Sequence, residues 1–477
     1  MTRRTKIVAT IGPASDQLDS LEKVIRAGVD VVRLNLSHGP IDEHLERLAR
    51  VRTVANKVGR PVGVLADLPG PKVRAGRFPD GGVALTAGSY TRLRAGEDLS
   101  DAGTIWVDYD TLITDLAVGD RIILGDGAIS MRVTAKDVDS ADAMIETGGR
   151  TQGRPGVHLP SERLRLSTPT AEDLVLAEAI ASAGVEFLAV SFVRSAADMV
   201  KVRAIVGDRA ELVAKIETST AVANLPEILE ASDAIMVARG DLGIDCPLED
   251  VPHLQKAIIR RCVEYGIPVI TATQMLESMV TAPSPTRAEV SDVANAVFDG
   301  TDALMLSGET AIGHDPALVV TTMATIAERA EVEASYRQWA DHLGRIQRTK
   351  WDSVGDRITA ALTHAASQAA HDVGASAILC CTSSGRTTKA MARFRPEAAL
   401  IGLSPNPRTV NAMTLSWGVD SVAVETYAST DEMVWHAVER SVQEGRIAPG
   451  DTVIVLAGSP GRAATTAADV LRIVRVQ

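Results

Sequence analysis

Eight short apolar runs, most of them followed by a stretch of helical period, constrain the fold of this chain more than any other feature. The runs are residues 6–12, 29–37, 61–68, 187–192, 211–217, 234–239, 268–274 and 303–308. Amphipathic stretches lie between most of them, for example 42–58, 195–206 and 286–299. Eight β-then-α units favour a closed (β/α)8 TIM barrel, whose strands are covered on both faces and therefore read as nearly continuous apolar runs. An open Rossmann-type sheet is the alternative.

Two further units interrupt or follow this alternation. Between the third and fourth runs the chain reads as all-β, with Gly-Asp turn signals between short strands. Loops that follow barrel strands open on the catalytic face, so an inserted β-barrel domain there could act as a lid. A C-terminal α/β unit is predicted from strands at 376–382, 399–403, 421–425, 452–457 and 470–476. The predicted domains are barrel 1–71, inserted β-barrel lid 72–159, barrel 160–340 and C-terminal regulatory α/β domain 341–477.

Composition narrows the class of partner. Lys and Arg number 49 against 61 Asp and Glu, which gives a formal net charge of −12 and disfavours binding to nucleic acid. The four cysteines form no CxxC pair and indicate neither a zinc site nor a disulfide framework. No apolar run reaches the length of a membrane span, and MTRRTK leads directly into a strand. We therefore expect a cytoplasmic protein without a membrane partner.

Polar side chains follow six of the eight runs. In a barrel, residues at the ends of the strands are the ones offered to a substrate, and so many polar endings are difficult to assign to chance. They are Arg33, Asn35, Ser37 and His38 after the second run, Asp67, Lys72 and Arg74 after the third, Lys215 and Glu217 in the fifth, Arg239 and Asp241 after the sixth, Thr273 in the seventh, and Ser307 and Glu309 after the eighth.

Lys215 and Glu217 are two residues apart in one predicted strand, so their side chains point to the same face. Asp241 follows the next strand along the chain, in ARGDLG, where Gly240 permits close approach of a ligand to the backbone. Two carboxylates on neighbouring strands form a hard oxygen site that suits Mg²⁺, with Mn²⁺ as an alternative. A buried ion pair between the lysine and a carboxylate is the competing interpretation.

Phosphate-binding signatures are sparse. The chain contains neither GxxxxGK[ST] nor GxGxxG, which excludes a P-loop and a dinucleotide fingerprint. The segment TSSGRTT, at 382–388, joins a predicted strand to a helix, where hydroxyls and free backbone N–H groups could cradle a phosphate. An ordinary helix N-cap explains this segment equally well.

Several strings together resemble the pyruvate kinase family across essentially the whole chain. They are KIVATIGPAS, VRLNLSHG, KIE, IMVARGDLG, TATQMLESM, PTRAEVSDVANAVFDGTDALMLSGETA and SGRT, in the family's order and at similar spacing. IMVARGDLG and TATQMLESM followed by LSGETA are highly specific, whereas KIE alone carries no weight. The resemblance, rather than the periodicity, implies phosphoryl transfer from phosphoenolpyruvate to ADP, the final step of glycolysis.

The resemblance also implies roles for the strand-end residues. Glu217 and Asp241 would hold Mg²⁺, Lys215 would neutralise the transferring phosphoryl group and the enolate, and Arg33 would grip the phosphate. Gly240, Asp241 and Thr273 would line the carboxylate side of the substrate, with Thr273 near the path by which the enolate is protonated. Asn35, His38 and Arg74 would face the nucleotide, and Ser307 and Glu309 would extend a proton relay. The resemblance also implies a homotetramer. Independently of it, the junction between strand and helix is expected to bind a phosphorylated effector through Thr382, Ser383, Ser384, Gly385, Arg386 and Thr387.

The chain departs from the family pattern at three places. Where the family often reads DTKGPE, this chain has Asp67-Leu-Pro-Gly-Pro-Lys72. The monovalent-cation site would comprise Asn35, Ser37, Asp67 and the carbonyl of Leu68, and Lys72 resembles the branch that does not require K⁺. Pro155 replaces the lysine before GVNLP, and Arg154 could supply that charge. KIENxxG appears as KIETSTA, which alters a helix start.

Two other functions compete with this interpretation. A lyase or aldolase that handles phosphoenolpyruvate on a Mg²⁺-dependent barrel would share the carboxylate pair but would not explain the insertion or the C-terminal unit. A catalytically inactive sensor of sugar phosphates would use 382–388, but it would have no need of intact Lys215, Glu217, Asp241 and Thr273.

Overall fold

The computed structural model of the chain describes residues 3–125, 127, 129–160, 167–334, 336, 343, 354–458 and 468–477. Its first elements form the beginning of the barrel and coincide with the predicted alternation. They are β1 (Lys6–Thr10), α1 (Leu18–Arg26), β2 (Val31–Asn35), α2 (Ile41–Val58) and β3 (Gly63–Asp67). Helix α2 ends because Gly59 adopts a left-handed φ of 74°, a conformation that glycine accepts at little cost.

The insertion after β3 is rich in β-structure, as predicted. Its elements are β4 (Phe78–Leu85), β5 (Tyr90–Ala95), β6 (Thr104–Val107), α3 (Leu112–Asp115), β7 (Arg121–Leu124), β8 (Ile129–Lys136), β9 (Ala141–Thr147), β10 (Gly149–Gly153) and β11 (Val157–His158). In the described residues they form a six-stranded sheet, β11-β7-β8-β9-β5-β6, and a separate β10-β4 pair. Isolated bridges join Arg74 to Gly156, next to β11, and Ala75 to Val107, in β6, so the segment at 74–75 links the two edges of the larger sheet. The inserted β-barrel lid stays a prediction. The short helix α3 was not predicted.

The remaining barrel strands follow the insertion. They are β12 (Phe187–Val190), β13 (Glu211–Ile216), β14 (Ala234–Ala238), β15 (Val269–Ala272) and β16 (Ala303–Leu306). The helices of this part are α4 (Ala171–Ser182), α5 (Ala196–Val206), α6 (Ser219–Ala223), α7 (Leu225–Ala231), α8 (Arg239–Asp245), α9 (Val251–Tyr265), α10 (Arg287–Phe298), α11 (Gly308–Ala311) and α12 (Pro316–Glu333). Helix α4 begins with a capping box, in which Thr170 Oγ1 accepts from the N–H of Asp173 and the Asp173 carboxylate accepts from the N–H of Thr170.

The eight barrel strands close into one parallel sheet in the order β1-β16-β15-β14-β13-β12-β3-β2. The last strand pairs with the first through the register Lys6↔Ala303, which excludes the open-sheet alternative. Val8, Leu65 and Phe187 help to fill the interior, whereas a larger apolar layer lies between the strands and the outer helices. Because all strands are parallel, their carboxyl ends meet at one end of the barrel.

The C-terminal unit is a five-stranded sheet in the order β19-β18-β17-β20-β21, with only β21 antiparallel to its neighbour. Its elements are α13 (Val354–Asp372), β17 (Ala377–Cys381), α14 (Arg386–Ala392), β18 (Ala399–Ser404), α15 (Pro407–Ala412), β19 (Val419–Ala423), α16 (Thr430–Gln443), β20 (Thr452–Ala457) and β21 (Val470–Arg475). Strand β19 begins two residues before the predicted 421–425. The predicted boundary between 340 and 341 lies outside the described residues.

The C-terminal unit contacts the barrel at the amino ends of the barrel strands. Arg395 Nη1 lies 2.9 Å from Asp302 Oδ1, just before β16, and Lys389 Nζ lies 2.6 Å from Glu211 Oε2 at the start of β13. These ion pairs place the unit at the end of the barrel opposite to the carboxyl ends of the strands.

The four cysteines are all free, and Cys246, Cys262 and Cys380 are buried. This agrees with the absence of a predicted disulfide framework. Within the described residues, no helix combines the length and the apolar character that crossing a membrane requires.

Candidate active site

A chain of alternating charges crosses the carboxyl ends of β2, β3 and β13. Arg33, on β2, contacts Asp67 Oδ2 through Nε at 2.8 Å and through Nη2 at 2.6 Å. The other oxygen of Asp67, Oδ1, lies 3.3 Å from Lys215 Nζ, which in turn lies 2.9 Å from Glu217 Oε1. Lys215 and Glu217 therefore share a face of β13, as strand alternation predicts. These four residues form one connected ionic network.

The network keeps both central groups charged. Burial alone would raise the pKa of Asp67, but the charges of Lys215 and Arg33 outweigh it and hold that pKa below its usual value. Burial alone would lower the pKa of Lys215, but the three carboxylates of Asp67, Glu217 and Asp241 raise it above its usual value. Lys215 is thus a fixed ammonium whose side chain is only 12% exposed.

Glu217 and Asp241 fit a divalent cation. Burial raises the pKa of Glu217 to about 7; Lys215 opposes this rise and the charge of Asp241 adds to it. Glu217 Oε1 is buried and has no aligned hydrogen bond, while Oε2 accepts from the N–H of Phe192 at 2.6 Å. Two carboxylates thus share the single ammonium of Lys215, and a divalent cation would offset the remaining negative charge. Mg²⁺ suits such a pair because it takes one or two carboxylates and completes its shell with water and substrate oxygens.

The loops after β14 and β15 are joined through Thr273. Its Oγ1 accepts from the N–H of Gly240 at 2.8 Å and donates to the carbonyl of Ala272 at 2.7 Å. A Cβ on Gly240 would lie 3.4 Å from this oxygen, at ordinary van der Waals contact, so the two loops meet closely at this point. The structure therefore brings Thr273 beside Gly240, the residue before Asp241, and their place on the substrate's carboxylate side stays a prediction.

Ser307 and Glu309 lie after β16, and the Glu309 carboxylate accepts hydrogen bonds from backbone N–H groups. Glu309 is fully buried, and its carboxylate accepts from the N–H of Ser307 at 2.7 Å and from that of Leu276 at 3.1 Å. Glu309 thereby holds the loop after β15 to the loop after β16. These contacts favour a positioning role for Glu309 over the predicted proton relay.

Comparison with known proteins assigns the family. A model described as the pyruvate kinase barrel domain matches residues 2–320, and one described as the pyruvate kinase alpha/beta domain matches residues 360–474. The chain belongs to the pyruvate kinase family. A pyruvate kinase from Geobacillus stearothermophilus is 42% identical over 96% of this chain and 78% of its own length. One from Methylorubrum extorquens is 40% identical over 96% of this chain and 95% of its own length.

In this pyruvate kinase fold, the residues predicted for the nucleotide and the monovalent cation lie after β2 and β3. Asn35 pairs in register with Asp67, and Asn35 Oδ1 accepts from the N–H of Ser37 at 3.2 Å. The carbonyl of Leu68 accepts from Ser191 Oγ at 2.8 Å. The predicted cation site has five members, and the four other than Lys72 form one strand-end cluster: Asn35, Ser37, Asp67 and Leu68.

Cationic side chains face this strand-end cluster. Desolvation lowers the pKa of His38, and the charges of Lys72, Arg74 and Arg33 lower it further. Partial desolvation and the charges of Arg74 and Lys215 also lower the pKa of Lys72, against the attraction of Asp67 and Asp241. Lys72 is exposed, and the negative charge of Asp67 acts on its ammonium. Such a field suits polyphosphate.

Arg154, the residue expected to supply a positive charge next to Pro155, forms ion pairs within the inserted domain. Arg154 Nη2 lies 3.0 Å from Asp108 Oδ2 and 3.8 Å from Glu97 Oε1, and the carbonyl of Arg154 accepts from Arg74 Nη1 at 3.2 Å. A role for Arg154 toward nucleotide would therefore require it to exchange these carboxylates for phosphate.

The segment predicted to bind an effector lies between β17 and α14. Thr382 Oγ1 accepts from the N–H of Gly385 at 2.9 Å, and Gly385 takes a left-handed φ of 81° at the N-cap. Ser383, Ser384 and Arg386 are exposed, whereas Thr387 is buried in the first turn of α14. Thr387 and Thr388 are thus the members of the TSSGRTT segment that are least accessible to a ligand.

Three residues of the site, Ser191, Phe192 and Thr10, carry no prediction from the sequence beyond their place in a run, and Arg239 was predicted only as a polar residue at a strand end. Ser191 Oγ accepts from Lys215 Nζ at 2.7 Å, and the N–H of Phe192 binds Glu217. Thr10 Oγ1 accepts from Arg33 Nη1 at 3.1 Å, and Arg239 binds the backbone around Thr273. Ser191 and Phe192 end the fourth run, so the strand-end rule that identified the other residues could have found them.

Proposed function

We propose that this chain is a pyruvate kinase that transfers a phosphoryl group from phosphoenolpyruvate to ADP at the carboxyl end of the barrel. The observation that carries the proposal is the Arg33–Asp67–Lys215–Glu217 network with Asp241 beside it. In the reaction, the bond between phosphorus and the enol oxygen breaks, and a bond to a β-phosphate oxygen of ADP forms. The enolate left behind takes up a proton at C3 and becomes pyruvate.

Lys215 is the group best placed to stabilise the developing charge. Phosphoryl transfer depends mainly on positioning and on electrostatic stabilisation, because the transition state requires little covalent chemistry from the protein. A buried ammonium held by Ser191, Asp67 and Glu217 does not have to reorient when the enolate forms. Arg33 lies beside it, with donors available to a phosphate once the substrate shares it with Asp67.

The residues that would hold Mg²⁺ are Glu217 and Asp241, with Mn²⁺ as a substitute. When bound, the cation would supply positive charge to the phosphate and carboxylate oxygens of the substrate. Phe192 fixes the Glu217 carboxylate through its N–H, and the first turn of α8 carries Asp241. Thr273 and Gly240 complete the carboxylate side, and Thr273 supports protonation of the enolate. Asn35, His38 and Arg74 would face ADP.

A coupled assay of purified protein tests this proposal. With phosphoenolpyruvate, ADP and Mg²⁺, we expect pyruvate and ATP to appear in equal amounts, measured through lactate dehydrogenase and luciferase respectively. Neither product would be expected from a sensor of sugar phosphates. Consumption of phosphoenolpyruvate without ATP formation would instead favour another phosphoenolpyruvate-handling barrel enzyme.

Within the pyruvate kinase family, we assign this chain to the type whose activity does not require K⁺. Lys72 supports it, because an ammonium near Asp67 could supply the single positive charge that a bound K⁺ would place beside the substrate phosphates. In tetramethylammonium buffer at constant ionic strength, addition of K⁺ should leave turnover nearly unchanged. Lys72→Glu should create a requirement for K⁺. A several-fold stimulation of the wild type by K⁺ would contradict the assignment.

Two further proposals concern regulation and assembly: the first derives from the hydroxyl-rich strand-to-helix junction at 382–388, and the second from the family resemblance. Residues Thr382–Thr387 would bind a phosphorylated effector, supported by the exposure of Ser383, Ser384 and Arg386 at one loop. Titration of sugar phosphates and AMP should give weaker activation or binding with Arg386→Ala than with wild type, and identical curves would remove the assignment. The chain would form a homotetramer, which sedimentation equilibrium measures directly.

A further inference from the structure

Thr273 has a backbone conformation that a β-branched residue rarely adopts. Its φ is 71° and that of the next residue, Gln274, is 54°. In this left-handed region the Cβ crowds the following carbonyl, and the surrounding structure must hold the conformation in place. The turn after β15 therefore depends on contacts from outside itself to keep the Thr273 hydroxyl where it is.

The side chain of Arg239, at the end of the neighbouring strand β14, supplies such contacts. Its Nη2 donates to the carbonyl of Thr273 at 2.6 Å, and its Nε donates to the carbonyl of Ala272 at 3.3 Å. The same Nη2 lies 2.8 Å from the sulfur of Met275, which is fully buried. One guanidinium thus binds the carbonyls on both sides of the strained φ of Thr273.

Two outer helices hold the guanidinium in turn. Arg239 Nη1 lies 2.7 Å from the Asp292 carboxylate on α10 and donates to Gln255 Oε1 on α9 at 3.3 Å. Gln255 is itself tied to Asp299 Oδ2 through Nε2 at 2.9 Å. The Arg239 side chain is only 11% exposed. Because these donors lie in a rigid plane, a lysine ammonium at the same position could not reproduce the set of bonds.

The hydroxyl of Thr273 is coupled to the same group of atoms. The Thr273 hydroxyl donates to the carbonyl of Ala272, and the same carbonyl also accepts from Arg239 Nε. The hydroxyl accepts in turn from the N–H of Gly240, which is the residue after Arg239. The side chain of Arg239 therefore binds the backbone carbonyl of Thr273, and the backbone N–H that follows Arg239 binds the Thr273 hydroxyl. A shift of the guanidinium would therefore move the Thr273 hydroxyl through the carbonyls of Ala272 and Thr273.

We propose that Arg239 is a positioning residue for the proton transfer that completes the reaction. Anchored by Asp292 and Gln255, it holds the carbonyls of Ala272 and Thr273 so that the Thr273 hydroxyl stays directed at the enolate carbon. In that step a C–H bond forms at C3 and an O–H bond of the solvent donor on the Thr273 side breaks, while the enolate C=C becomes a single bond and its C–O bond becomes the carbonyl of pyruvate. The inference rests on the proposed function, since it assumes that the product is pyruvate.

Steady-state kinetics of Arg239→Lys provide the first test. We expect kcat to fall about 10- to 100-fold, because displacement of a catalytic group by about 1 Å can cost two orders of magnitude. KM for phosphoenolpyruvate should change by less than about threefold, because the phosphate and metal ligands are untouched. Asp292→Asn, which keeps an acceptor for Arg239, should show a smaller loss in the same direction. Arg209→Lys, in a surface pair with Glu178, is the matched control and should retain wild-type kcat.

A second readout isolates the proton transfer. Exchange of the methyl protons of pyruvate with solvent deuterium, followed by ¹H NMR in the presence of Mg²⁺ and ATP, reports this step in the reverse direction. If Arg239 acts on it, Arg239→Lys should slow methyl exchange by at least the factor by which it lowers kcat. Unchanged exchange with reduced kcat would overturn the proposal, because the lysine would then have disturbed phosphoryl transfer or the fold.

A double-mutant cycle decides whether Arg239 acts through Thr273. Thr273→Ala removes the hydroxyl, so adding Arg239→Lys to it should lower methyl exchange by less than about threefold further. Multiplicative losses in the double variant would overturn the proposal even if Arg239→Lys alone were impaired. Inactive wild type would instead contradict the proposed function and leave no kinetic cycle to measure. Circular dichroism of each variant checks that the fold is retained. If Arg239→Lys does not fold, Asp292→Asn takes its place in the cycle, and multiplicative losses of methyl exchange would again overturn the proposal.

Discussion

Replacing Lys215 by methionine keeps most of the side-chain volume and removes the one ammonium at the centre of the ionic network. In the wild type, its Nζ lies 2.7 Å from Ser191 Oγ, 2.9 Å from Glu217 Oε1 and 3.3 Å from Asp67 Oδ1. A unit charge about 4 Å from the enolate oxygen, at an effective dielectric constant of about 20, contributes about 4 kcal/mol. That energy corresponds to about a thousandfold in rate, similar to the loss of an oxyanion-hole donor.

We therefore expect Lys215→Met to lower kcat about a thousandfold while the protein remains folded. Asp67 keeps its contacts to Arg33, which limits the loss of stability. The assay is pyruvate formation at saturating phosphoenolpyruvate and ADP, with circular dichroism to check the fold. Lys57→Met is a matched control, because Lys57 is 65% exposed and pairs with Glu22 on the outer surface. Turnover of Lys215→Met above about a tenth of wild type would refute this account of the network.

Two further predictions address the metal ligands and the contact between the two units. Glu217→Gln should raise the Mg²⁺ concentration that gives half-maximal activity by more than about tenfold, because it removes an anionic ligand. The amide oxygen of the glutamine can still accept from the N–H of Phe192. An unchanged Mg²⁺ titration would exclude Glu217 as a ligand. Arg395→Leu should lower the free energy of unfolding in urea by about 3–5 kcal/mol, because it leaves Asp302 without its buried cationic partner. Arg209→Leu, on the surface, should cost less than about 1 kcal/mol, and equal losses in the two variants would contradict the role given to burial.

The barrel could be predicted from the sequence because each strand is buried on both faces. A strand such as β14, AIMVA, is apolar at every position and fully buried, which leaves little ambiguity about where it lies. The polar residues at the strand ends follow from the same pattern. Lys215 and Glu217 share a face for the simple reason that side chains alternate along a strand.

Contacts made by long side chains and by the backbone could not be predicted in this way. Arg239 follows a strand like the other candidates, but its guanidinium turns toward the carbonyls of the next loop. Glu309 has the residue type of a proton carrier, yet both of its oxygens accept from backbone N–H groups. Side-chain direction at the end of a strand depends on partners that are distant in sequence, and periodicity carries no information about them.

The insertion and the C-terminal unit show a related limit. Strand runs in the insertion were recognisable, but the separate pairing of β4 with β10 depends on registers that shift between Thr151 and Gly153. Strand β19 begins at Val419 rather than at 421, because Val419 pairs with Leu400 at the start of the ladder. Pairing partners, rather than local composition, determine where such strands begin.

The central claim is that the strand ends of this barrel transfer a phosphoryl group from phosphoenolpyruvate to ADP, and ³¹P NMR tests it most directly. Purified wild-type protein is incubated with phosphoenolpyruvate, ADP and Mg²⁺, with Lys215→Met as the control for the site. The account predicts that the phosphoenolpyruvate resonance disappears in step with the appearance of the γ-phosphate of ATP, and that Lys215→Met slows both changes about a thousandfold. Release of inorganic phosphate in place of ATP, or no change in either resonance, would contradict it.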